Sequence, residues 1–426
     1  MGPQRSISKA AALFGILLFS LASVRAEPVP SGMHAVERPS PQRPTAERIA
    51  EIAGWLSPRP GGFCPPATNR TFWDKVAVDR SAILQKAESL LHEPIPALPE
   101  ELYLNSEKTG QRETFHKPYN QRLQRASDLA LAECLEMKGR FLAPLRETLE
   151  AILSEPTWVF PAHAFETPIL QTNGSFVDLG VSARASTLAR IYQWLGDSLG
   201  PEVKERIRTE IRKRAVDPYL ARVYQDGQPP FFWMTNTNNW NAVCHAGITY
   251  AALATVEDRE TRARVAAGAT AYIVNFLNGF TPDGYCSEGI GYWGYGFGNF
   301  VLLAESLVHA TQGHVNLYTD SGVAADASFP LRIEIVPKVF PAFADCSPNA
   351  SVGPWILSLL ARRYVLPATA ASQPDPLSEP DLMLNPPAVE VPRQPIPDLD
   401  PLRGYFPEAG CLVSGPPILP KGSPSP

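Results

Sequence analysis

Where the prolines fall decides what this chain can fold into. There are 44 in 426 residues, about twice the usual share of roughly 5%. A proline inside a helix removes a backbone hydrogen bond and clashes with the preceding turn. Residues 1–100 hold 13, residues 101–364 hold 15 and residues 365–426 hold 16. The middle can therefore be helical throughout, and the two ends cannot. The 29 glycines show no Gly-X-Y period, which excludes a collagen. A hydrophobic share of 44% with a net charge of −5 predicts a folded core rather than disorder. The balance of 38 basic and 43 acidic residues carries no nucleic-acid footprint, so no nucleic-acid partner is expected.

The N-terminus reads as an address. Arg5 and Lys9 precede an apolar run from Ala10 to Ala22, and Val24-Arg25-Ala26 follows. This is the pattern of a secretory signal peptide over 1–26. The run is short of the roughly 20 apolar residues that span a bilayer, so no membrane span is expected. The expectation is a secreted or periplasmic protein cleaved near Ala26. The six cysteines show no CxxC spacing, which argues against a zinc site, and no metal or cofactor is expected. A Cys244–Cys286 bridge is one open pairing among several.

Residues 27–66 are rich in Pro, Arg and Ser and read as a leader, with one short helix over 46–56. Apolar spacing predicts helices over 72–92, 119–153, 182–200, 201–224, 239–256, 258–278, 291–312 and 353–364. No middle segment alternates strictly enough for a strand. The fold class is therefore all-α, with helical hairpins stacked as a toroid or irregular bundle over 67–366. Residues 367–426 read as a Pro-rich tail.

Three stretches carry more chemistry than packing requires. In the first, Thr235 to Asn239 are polar and lead into Trp240-Asn241-Ala242-Val243-Cys244-His245. An N-cap explains one or two of these residues, not five and a Trp. Asn241 and His245, four apart, share a helix face; a core role for His245 is as well supported as a catalytic one. The second, Phe280 to Phe300, mixes many glycines with aromatics and the acids Asp283 and Glu288. Glycine costs a helix about 1 kcal/mol against alanine, which favours a ligand-facing segment with rings that stack on sugars. The third is Trp158 to His163, followed by Asp178-Leu179-Gly180; taken alone it reads as packing.

Together these stretches resemble the heparinase II/III-like polysaccharide lyases. The similarity runs through Trp158 to His163, Asp178-Leu179-Gly180, Asn239 to Cys244, and Asp283-Gly284 through Glu288 to Gly296, and covers roughly residues 70–365. The resemblance implies an (α/α) toroid followed by a β-sandwich, and β-elimination on acidic, uronic-acid-containing polysaccharide. It implies that Asn239 grips the substrate carboxylate, with Asn241 a second candidate. It implies His245 or His163 as the base or its helper, and Tyr292 or Tyr295 as the tyrosine acid/base. Glu288 would orient a partner or close the loop, and Trp240 and Trp293 would stack on sugar rings.

The resemblance fails at the C-terminus. Gly404 to Val413 resembles the family's first sandwich strand, and the chain then runs through a proline-rich stretch to Pro426. The expectation is a toroid whose β-sandwich is missing, with a lone strand left in the tail and activity impaired by truncation. Two alternatives stand beside the lyase: a non-catalytic carbohydrate-binding toroid, and a glycoside hydrolase using Asp283 and Glu288 as its carboxylate pair. The oligomeric state is left open.

Overall fold

Most of the described residues fold into helices that pack around one of their number. The computed structural model describes residues 38, 40–61, 65–76, 79–163, 176–366, 389, 391–396 and 403–414. All of these belong to one unit spanning Ala35–Pro426. The expected signal peptide, Cys64 and most of the tail lie outside the described residues. The helices, in chain order, are α1 (Ala46–Trp55), α2 (Arg70–Trp73), α3 (Arg80–Leu90), α4 (Glu100–Thr109), α5 (Glu113–Glu136), α6 (Leu142–Leu153), α7 (Leu179–Leu199) and α8 (Pro201–Ile211). They continue with α9 (Asp217–Tyr224), α10 (Phe232–Thr235), α11 (Asn239–Thr255), α12 (Arg259–Leu277), α13 (Gly289–Ala310), α14 (Val323–Ile333) and α15 (Pro354–Arg363). Among the described residues, no helix is long and apolar enough to cross a membrane.

Helix α11 is the axis of the core. Every residue of it except Trp240 is buried, and it packs on α7, α12 and α13. Small residues set how closely. A Cβ on Gly247 would lie 2.1 Å from Ser182 Oγ on α7, and one on Gly296 of α13 would lie 3.2 Å from Asn239 Cβ. The glycine-rich stretch is thus mostly helix, and several of its glycines are contact points. Gly298 plays the same part against Trp355 and Ile356 of α15. The expectation that so much glycine marks a ligand-facing loop is corrected on this point.

Other boundaries shift for local reasons. The segment expected as one helix over 119–153 breaks at Met137, a left-handed residue at φ 52° that caps α5. The buried Glu133 carboxylate holds that turn by accepting from Gly139 N and Phe141 N. Between α8 and α9 one π-helical turn, Arg212–Val216, widens the chain. Helices α4 and α14 are absent from the sequence expectation; α14 carries Pro330 within it, which a proline-based reading rejects.

The leader and the tail both dock onto helices. Arg262 of α12 donates to the carbonyls of Ser57 and Pro58 at 2.9 Å. Arg38 donates to Asp320 at 2.9–3.1 Å, lies 3.6 Å from Asp326 of α14, and reaches Leu277 O. In the tail, β1 (Arg403–Phe406) pairs antiparallel with β2 (Cys411–Ser414), Phe406 opposite Cys411. The lone strand expected there is therefore a two-stranded hairpin. It is held because Phe406 is fully buried, packing on Tyr285 and Phe329 with Arg332 over its ring.

Candidate active site

Asp178 organises the site. As N-cap of α7 it accepts from Val181 N through Oδ1 at 2.8 Å, which satisfies a helix-end donor. Its other oxygen, Oδ2, accepts from Phe160 N at 2.9 Å and lies 2.7 Å from His163 Nδ1. One buried carboxylate thus fixes a helix start, a loop and an imidazole. The loop is held from behind as well: Tyr119 OH donates to Trp158 O and Trp158 Nε1 donates to Ile152 O. Gly180 permits the close approach, since a Cβ there would lie 2.6 Å from Trp158 O.

Against His163 lies Trp240, with ring centroids 4.4 Å apart. Trp240 is the one residue of α11 that is not buried, and the half-exposed Phe232 continues the aromatic surface 5.1 Å further on. Asn239 opens α11 and sits beside Gly296. Tyr295, the neighbour of Gly296, is 44% exposed. Desolvation of its hydroxyl pushes the phenol up to about 12, with smaller contributions from Cys244, Asp178 and Tyr292. Gly296 packs against Asn239, which places its neighbour Tyr295 near the start of α11. His163, Trp240, Asn239 and Tyr295 are therefore gathered around the starts of α7 and α11. Tyr292, one turn earlier on α13, is half-buried.

Four of the expected residues lie elsewhere or serve another end. His245 is fully buried between Trp233 and Tyr219, with Nδ1 3.0 Å from Tyr219 OH. Burial drives its pKa down to about 3, so it is a neutral core histidine. Asn241, also fully buried, donates from Nδ2 to the carbonyls of Trp233, Met234 and Tyr272; it ties α10 and α12 to α11. Helical spacing predicts that Asn241 and His245 share a face, and that face points into the core. Trp293 is fully buried and donates to Asp326 O at 2.9 Å, so it offers no ring to a sugar. Glu288 immediately precedes α13; burial, then the nearby Asp345, raises its carboxyl.

Asp283 is buried and engaged. It accepts from Thr281 Oγ1, Tyr285 N and Glu408 N, and so anchors the tail hairpin. Cys244 and Cys286 are both free thiols, as are Cys346 and Cys411. No group of three His, Cys, Asp or Glu among the described residues is placed to hold a metal ion.

Two residues of the site are not legible in the sequence. His116 of α5 meets the Phe160 ring at 4.3 Å in a tilted contact; burial, then the charge of His163, lowers its pKa. It stands in an ordinary helical stretch with no motif around it. Tyr103 of α4 is buried, and its hydroxyl is raised by desolvation, then by Glu107 and Asp178. Compared with known proteins, the chain matches no family model, and no curated protein is significantly similar to it.

Proposed function

We propose that the chain is an exported polysaccharide lyase of the heparinase II/III-like kind, built on an (α/α) toroid, that cleaves acidic polysaccharide by β-elimination. The observation that carries this reading is His163, held at Nδ1 by Asp178 and flanked by Trp240, on the side of the cluster where Tyr295 stands. The tautomer that gives the Nδ1 proton to Asp178 puts the basic lone pair on Nε2. In elimination His163 removes the hydrogen at C5 of a uronate, the C4–C5 double bond forms, and the C4–O bond breaks. Tyr295, protonated at any physiological pH, gives its proton to the leaving oxygen. Charge that builds on the uronate carboxyl during the step needs fixed donors, and the Asn239 amide supplies them. Trp240 supports the sugar ring.

The alternative of a sugar-binding toroid without turnover is favoured by one observation: Asn241, His245 and Trp293 are committed to the core. A glycoside hydrolase built on Asp283 and Glu288 loses support because Asp283 is buried and hydrogen-bonded to the hairpin. The deciding experiment incubates the full chain with heparan sulfate, alginate and pectate. The lyase generates an unsaturated uronide that absorbs in the ultraviolet. Binding with no absorbing product on any of the three leaves the sugar-binding reading, and saturated reducing ends would reinstate the hydrolase.

A further inference from the structure

The charge of the site follows from where the chain keeps its cations. Residues 147–183, 223–258 and 265–331 make up about a third of the sequence and hold none of its 38 Lys and Arg residues. They do hold acids, among them Asp178, Asp283 and Glu288. His163 and Asp178 come from the first stretch, Asn239 and Trp240 from the second, Tyr292 and Tyr295 from the third. Cations that reach these stretches from elsewhere are engaged. Arg38 pairs with Asp320 and lies 3.6 Å from Asp326. Arg332 donates to the carbonyls of Asp283 and Tyr405. Arg112 bears on His116 at the edge of the cluster, where Glu113 acts with the opposite sign.

A sulfate ester is ionised at every physiological pH. Drawing such a charge out of water is costly unless it is paired, and a bidentate arginine is the side chain best shaped to pair with an oxyanion of this kind. The cluster presents rings instead. The Trp240 ring centre lies 4.4 Å from that of His163, Phe232 lies 5.1 Å from Trp240, and Phe176 lies 6.5 Å from Phe232 with the two rings within 16° of parallel. Phe232 is 38% exposed, and Trp240 and Phe176 are partly exposed. A row of uncovered rings leading away from His163 suits the apolar faces of successive sugars.

We propose that the site takes an unsulfated oligosaccharide in which uronates alternate with neutral sugars. One uronate sits at His163 and Asn239, and the next units lie along Trp240, Phe232 and Phe176. Further carboxylates packed closely along the row would face a surface that carries acids and no cation of its own, which is why alternation is favoured over a polyuronate. The proposal rests on the reading of the His163 cluster as a uronate site and narrows its substrate.

The test is calorimetric titration of the full-length Tyr295→Phe chain, so that cleavage does not consume the ligand. Hexasaccharides are compared in pairs that share a backbone, heparosan against heparin and unsulfated chondroitin against chondroitin sulfate, with oligogalacturonate as the chain that carries a carboxylate on every unit. Saturable binding of at least one unsulfated alternating hexasaccharide is expected, at least tenfold tighter than its sulfated partner and than oligogalacturonate. Added salt should not weaken it, since no ion pair is there to screen. Phe232→Ala should weaken the hexasaccharide at least tenfold and the matching disaccharide far less. The salt series needs no substitution in the ring row, so it holds even if Phe232→Ala fails to fold. No binding by either unsulfated member, a sulfated partner or oligogalacturonate binding as tightly, affinity that falls tenfold with salt, or an equal effect of Phe232→Ala on both ligand lengths would each overturn the proposal. Selective binding by a wild-type chain that yields no absorbing product would sink the lyase reading and leave this one standing. An absorbing product made from heparin in preference to heparosan would do the reverse.

Discussion

His163 Nδ1 lies 2.7 Å from Asp178 Oδ2, and the same Asp178 caps α7 through its other oxygen. The imidazole and the helix start are thereby one mechanical unit. Asp178→Ala should lose two effects at once. Loss of the cap costs about 1 kcal/mol of stability, read as a lower melting temperature. Loss of the imidazole's orientation should cut elimination on uronate polymer by about 10²-fold or more. His163→Ala should show the second effect with little of the first. Equal melting losses in the two variants would refute this division.

Tyr295 gives a prediction about pH. Its phenol is pushed up to about 12, so as a proton donor it stays competent until the pH rises through that value. Any loss of activity between pH 8 and 11 must come from another group. Tyr295→Phe should abolish turnover while the melting temperature stays within a degree or two, because the ring is half exposed. A basic limb that vanishes in some other variant, with Tyr295→Phe still active, would remove the tyrosine from the mechanism.

His245 predicts a stability profile rather than an activity profile. Its folded pKa is about 3 against an ordinary value of 6.5, so the unfolded chain binds the extra proton first. Its contribution is fully present above about pH 6.5 and is lost as the pH falls towards 3, by up to about 1.4 kcal/mol per pH unit. Replacing it by the non-titrating Asn or Gln should flatten the denaturation profile over that window. An unchanged slope in urea melts between pH 4 and 6.5 would show that the histidine is not buried neutral.

Glu305 and Arg363 form a buried pair at 2.6–2.7 Å. Burial opposes ionisation of Glu305, but bonds from Arg363 and His309 bring its carboxyl down to about 2. The pair's contribution is present above about pH 4.5 and disappears as the pH falls through 2. Glu305→Ala strands a buried guanidinium and should cost about 3–5 kcal/mol in chemical denaturation at pH 7. A cost under about 1 kcal/mol would mean that the pair is solvent-screened.

Two glycines in the core helices should respond in opposite ways. Gly247→Ala puts a Cβ 2.1 Å from Ser182 Oγ and should destabilise by at least about 1–3 kcal/mol. Gly294→Ala meets nothing within 4 Å and should stabilise by roughly 0.5–1 kcal/mol through helix propensity. Both are read from chemical denaturation midpoints.

Much of the helical content was legible because it rests on period and on proline. The 46–56 helix, the 239–256 helix and the 258–278 helix all appear within a residue or two, since their apolar spacing agrees with their packing. Helix α14 was not legible, because Pro330 within it argues locally against what tertiary contact enforces. At the site, Trp240 and Asn239 stand out as a polar and aromatic helix start. Asn241 and His245 look alike in sequence whether they face a cleft or a core, since a shared helix face does not say which side it is on. His116 carries no signal at all: it meets Phe160 only because α5 folds back beside the segment that follows α6.

Arg38 lies more than 280 residues from Asp320 in the chain, yet binds it through two nitrogens, and its charge opposes the rise that burial imposes on the Asp326 carboxyl. If the chain is processed at its N-terminus, a cut past residue 38 would remove a cation from beside α14, the helix whose Arg332 also holds the hairpin at 403–414. Over-processing at one terminus would then be felt at the other, as a hairpin that becomes accessible to proteases.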